Sequence, residues 1–88
     1  MKKAFLSSLA LLVLSFHLFG QHRNLEKAKE AFNNMRFLEA EQHFHSSIEK
    51  DSSNTFLLRR IADCAMNRGD FQKAIVWYEA TIKNGGFY

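Results

Sequence analysis

Apolar residues recur along this chain at the three- and four-residue spacing of helices that bury one face. Residues 22–34 carry Leu25, Ala28, Ala31 and Phe32 in that pattern, and residues 38–50 carry Ala40, Phe44, Ser47 and Ile48. Farther on, Leu58, Ile61, Ala62 and Ala65 mark a third helix, and Ala74, Ile75, Tyr78 and Ile82 a fourth. No segment alternates with the two-residue period of a strand, so the expected fold class is all-α. Turn chemistry separates the helices. Gly69 suits the left-handed backbone that ends a helix, and Asp70 suits the cap of the next. In the first half Met35 stands where Gly69 stands in the second, and Asn34 is the better candidate for left-handed backbone there. Asp51-Ser52-Ser53-Asn54 reads as a turn, with Ser53 or Asn54 capping the third helix, and Gly85-Gly86 stops the last.

The pattern also repeats at long range. Residues 21–54 align without a gap on residues 55–88, an offset of 34. Six pairs are identical: Ala28/Ala62, Ala31/Ala65, Asn33/Asn67, Phe37/Phe71, Ala40/Ala74 and Ile48/Ile82. Phe44/Tyr78 and Ser47/Thr81 are near matches. The repeated positions are alanines and aromatics, the small and large components of close helix packing. Each unit therefore reads as a helix–turn–helix, giving two units at 21–54 and 55–88.

Residues 1–20 differ from both units. Lys2 and Lys3 precede an apolar run of 16 residues, Ala4 to Phe19, closed by Gly20. That is the layout of a secretory signal peptide. The run contains Ser7, Ser8, Ser15 and His17, and it is shorter than the about 20 apolar residues a spanning helix needs. Cleavage after Gly20 gives a mature start at Gln21; cleavage after Ser15, with Val13 at minus three, is the alternative. Lipid anchoring would require Cys where Gln21 stands. The expectation is an exported protein of a bacterial periplasm or cell envelope, on a membrane only if the leader is retained.

Composition narrows the function. Of 88 residues 47% are hydrophobic, there is one Cys and there is no Pro, so this is one small domain without an internal disulfide. Without residues 1–20 the chain holds ten Lys+Arg against nine Asp+Glu, a net of +1. Nucleic-acid binding needs clustered positive charge and is not expected.

A 34-residue helix–turn–helix with these residues resembles the tetratricopeptide repeat (TPR). The small residues of the family are matched by Ala28, Ala62, Ala40 and Ala74, and its aromatics by Phe37, Phe71, Phe44 and Tyr78. Gly69-Asp70-Phe71-Gln72-Lys73-Ala74 is close to the family's usual turn. The family's proline is missing: Ser52 and Gly86 stand in its place. An exported pair of such repeats also resembles the start of bacterial envelope proteins in which a TPR segment precedes a β-propeller-like region and an OmpA-like peptidoglycan-binding domain.

The resemblance implies a short α-solenoid that binds a protein or peptide, without catalysis or cofactor. First helices of such units line a groove, which assigns His22, Leu25, Lys29, Phe32 and Asn33 from the first unit. It likewise assigns Phe56, Arg59, Asp63, Met66 and Asn67 from the second. Lys and Asn, which the family's chaperone-tail clamp uses, are replaced by Leu25 and Lys29 at the matching positions. The alternative is an N-terminal structural module of a larger peptidoglycan-associated envelope protein.

A second surface follows from hydropathy. Ala74-Ile75-Val76-Trp77-Tyr78 is apolar around the whole helix, and such a helix is covered on all sides. Ile75, Val76 and Trp77 are therefore expected to meet a partner, a second copy or further repeats, since about three repeats are usually needed to bury enough apolar surface.

Catalytic and metal chemistry is weak. His43 and His45 point to different faces of one helix, and His17 lies in the leader, so no metal site is expected. Cys64 sits among alanines and reads as an inert buried thiol. Glu39, Glu41, Glu26 and Glu30 read as solvated helix faces, partly paired with Lys27 and Lys29. An enzyme is not expected.

Overall fold

The computed structural model describes residues 23–87. Residues 1–22, which include the expected leader and the groove candidate His22, and Tyr88 lie outside the described residues. Within them the fold is all-α: α1 over residues 23–33, α2 Phe37–Ile48, α3 Thr55–Asn67 and α4 Phe71–Lys83. Turns of three residues join α1 to α2 and α3 to α4, so each pair is a helix hairpin. The third helix packs against both α2 and α4.

The helix ends follow from local chemistry. The side chain of Asn54 caps α3 by accepting from Leu57 N, and Asp70 caps α4 by accepting from Lys73 N. Arg36, the repeat equivalent of Asp70, gives α2 no side-chain cap. Three helices close with the same pair of reversed hydrogen bonds. Arg36 N donates to Ala31 O, Asp70 N to Ala65 O and Gly86 N to Thr81 O. That pattern requires a left-handed residue just before the donor, which is Met35 at φ 62°, Gly69 at φ 82° and Gly85 at φ 89°. Met35, not Asn34, thus takes the left-handed backbone; the Asn34 amide instead donates to Glu30 O.

Small residues let the helices approach. Ala28, Ala31 and Ala40 in the first hairpin and Ala62, Ala65 and Ala74 in the second are all fully buried. Leu57, Leu58, Ile61, Cys64, Phe44 and Ile48 fill the space between hairpins. At the far end, a Cβ on Gly86 would stand 2.7 Å from Thr55 Cβ, so only glycine lets the chain cross the start of α3. Buried hydroxyls are satisfied locally: Thr81 donates to Trp77 O and Ser47 to His43 O.

Two expectations are corrected. Glu41 is not on a solvated face; it is 2% exposed. Its Oε2 accepts from Arg68 Nη2 at 2.6 Å, and Lys73 Nζ lies 3.3 Å from Oε1, at ion-pair distance but off the direction of a hydrogen bond. Arg68 follows α3 and Lys73 lies in the first turn of α4, so this acid joins the two hairpins. Ile82, read as part of the inward pattern of α4, is 51% exposed, and Ile75, which fits both that pattern and the outward surface, is 54% exposed. Ala74, Trp77, Ala80 and Thr81 take the inward face, and the isoleucines fall at its edge.

Replacing Arg68 with Ala leaves a buried carboxylate short of its main partner and should cost about 3 kcal/mol in denaturant unfolding. Glu41→Ile, which copies the residue at the equivalent place in the second unit, should cost less than half of that, because Arg68 can turn to water. Met35→Gly should stabilise the fold by about 0.5 kcal/mol, by removing a side chain from left-handed backbone.

Candidate functional site

A chain of aromatic rings runs through the first three helices. Phe37 and Phe32 meet edge to face at 5.5 Å between centroids, Phe32 and Phe44 at 6.5 Å, and Phe44 and Phe56 at 6.5 Å. Where the rings reach the surface between α1 and α3 they floor a cleft of about 270 Å³, lined by Lys29, Phe32, Asn33, Phe44, Phe56 and Arg60. Lys29, Phe32 and Asn33 come from α1, Phe56 and Arg60 from α3, and the buried Phe44 from α2.

Its charged walls are both cationic. The guanidinium of Arg60 lies 4.9 Å from the Phe32 centroid and 5.4 Å from that of Phe56. Lys29 Nζ lies 5.8 Å from the Phe56 centroid. Ring faces attract cations, so these side chains are held over the floor rather than extended into water. Asp63 approaches Arg60 Nη1 at 3.3 Å and neutralises part of its charge, while accepting the Tyr78 hydroxyl on its other oxygen. The arrangement suits an apolar side chain seated on the rings beside an acidic group.

Of the residues assigned to the groove, Lys29, Phe32, Asn33 and Phe56 line this cleft. Leu25 does not; it packs against the core. Asp63 stands behind Arg60. Arg59 does not line the cleft; its Nε lies 4.0 Å from Asp63 Oδ2. Met66 is exposed at the far end of α3, and the Asn67 amide is engaged with its own helix at Asp63 O. The sequence reading missed Phe44 and Arg60. Arg60 follows Phe56 by four residues, which puts both on one face of α3, and that spacing was the available signal.

The proposed end face divides. Ile75 and Val76 are exposed. Trp77 is half-buried, packs on the core and meets the His45 ring edge to face at 5.0 Å. Burial, and then the charge of Lys73, lower the His45 pKa below 6.5, so protonating it is disfavoured in the fold. Cys64 is fully buried, and burial followed by the charge of Glu41 pushes its thiol up to about 12. Such a thiol is a poor nucleophile. Among the described residues no three His, Cys, Asp or Glu side chains converge as metal ligands, and no helix is long and apolar enough to cross a membrane.

No protein-family model, curated protein or solved structure matches the chain.

The Tyr78 pKa is likewise raised to about 12, by burial and then by the hydrogen bond to Asp63. The ordinary values of the two groups are 9.0 for Cys64 and 10.0 for Tyr78. Their raised folded values favour the neutral forms, a contribution complete below pH 9 and lost progressively as pH rises toward about 12. Urea unfolding followed from pH 8 to 12 should show this alkaline loss, and Tyr78→Phe should flatten its upper part.

Proposed function

We propose that this chain is an exported helical-repeat module, of the TPR type its 34-residue period suggests, that binds a segment of another protein without catalysis. The observation that supports the reading best is the cleft between α1 and α3. It combines an aromatic floor with two cations and a volume of about 270 Å³, the scale of one large side chain. A cleft of that kind selects an apolar residue next to Asp or Glu, because the floor rewards apolar contact and both charged walls attract anions. Export rests on the basic start and apolar run of residues 1–19, followed by Gly20.

Panning the immobilised protein against a random peptide library should enrich peptides with a large apolar residue flanked by acid. Phe56→Ala and Arg60→Ala should each weaken the selected peptide about tenfold, a cost of about 1.4 kcal/mol. Met66→Ala, outside the cleft, should leave binding unchanged. Peptides indifferent to both cleft substitutions would contradict the reading. Export is checked separately: the mass of the secreted product should begin at Gln21.

A further inference from the structure

The two ends of the helix stack differ in kind. With the 34-residue offset, the α3 residues that fill the space behind it, Leu57, Ile61 and Cys64, correspond to Arg23, Lys27 and Glu30 on α1. The first three are buried and apolar; the second three are charged and exposed. The back of α1 is therefore finished for water. The outer edge of α4 is not. Phe71, Ile75 and Ile82, spaced by four and seven residues, form one stripe along it, and Phe71 is 60% exposed. Their counterparts on α2 are Phe37, half-buried against Phe32, Glu41, buried on Arg68 of the second hairpin, and Ile48, buried in the core. The stripe continues an interface the protein already builds once.

We infer that this stripe is a self-association surface: α4 pairs with α4 of a second copy, antiparallel about a two-fold axis. Two other stackings of the same chain are disfavoured by its own residues. A second copy docking head to tail would press the charged back of α1 onto apolar Phe71, Ile75 and Ile82. The α3–α4 hairpin of a second copy cannot dock there as it docks on α2, because that face already covers its own α2, with Arg68 and Lys73 on Glu41. Pairing the stripe with itself buries only apolar groups at its centre. Ile75 then lies beside the axis, Phe71 packs toward the partner's Ile82, and Glu79, Gln72 and Lys83 form a polar rim. A 13-residue helix spans about 20 Å, so one such contact falls short of the about 800 Å² per partner of a stable complex. The dimer is weak and concentration-dependent. It leaves the cleft between α1 and α3 open, so each dimer carries two clefts.

The test is sedimentation of the secreted product, whose expected start is Gln21, from about 1 µM to about 1 mM, alone and as variants. The wild type should pass from monomer to dimer and stop there. Ile75→Glu and Ile75→Lys, both at an exposed position that leaves the core intact, should each weaken dimerisation at least tenfold. An equimolar mixture of the two should dimerise again, because the two-fold places position 75 of one copy beside position 75 of the other. A wild type that stays monomeric would assign the stripe to a different occupant and overturn the proposal. Association unaffected by the substitutions, growth beyond a dimer, or a mixture that stays monomeric would each overturn it as well.

Discussion

A carboxylate can be held inside a protein only if cations come with it, and the stacking of the two hairpins is organised around that demand. Glu41 enters from the middle of α2. Its partners come from the turn after α3 and the first turn of α4. Any tilt or slide of one hairpin against the other separates these groups and leaves charge without solvent. Buried ion clusters of this kind add little net stability, since desolvation offsets most of the attraction. What Glu41 contributes is register: it selects one arrangement among the many that the alanine and leucine surfaces would allow. The apolar packing of Phe44, Ile48, Leu57, Ile61 and Cys64 supplies most of the favourable free energy.

The cleft is a consequence of that register. Phe32 comes from the first hairpin and Phe56 from the second, and Arg60 is held between their rings. The site exists only while the hairpins are docked. Asp63 then links it to the fourth helix, by bonding Arg60 on one side and Tyr78 on the other. A surface that reads as a loose set of aromatics and cations in sequence is thus a fixed constellation supported from behind.

Much of the fold was legible from residue pattern. The four helices, the capping role of Asp70, a cap for α3 at Ser53 or Asn54, the left-handed Gly69 and the buried alanines all follow from spacing and local chemistry. What escaped was set by tertiary contacts. The acidic Glu41 looks solvated in sequence because its cations are 27 and 32 residues away. Asn34 looks better than Met35 for left-handed backbone on propensity alone, but the hydrogen bond from Arg36 to Ala31 fixes which residue must turn. Ile82 looks buried because it is apolar and in helical register, yet burial depends on a neighbour, and the described residues hold none on that side. In the cleft, repeat position identified Lys29, Phe32, Asn33 and Phe56 but chose Arg59 over Arg60, an error of one residue that amounts to about 100° around the helix.

The central claim is that the two hairpins form one cooperative unit locked across Glu41, and native-state amide hydrogen exchange measures it most directly. Amides of Phe44 in α2 and Ile61 in α3 should open with the same free energy, equal to that of global unfolding, and Arg68→Ala should lower both together. If α1–α2 and α3–α4 opened with separate free energies, or if only one hairpin responded to the loss of Arg68, the account would be contradicted.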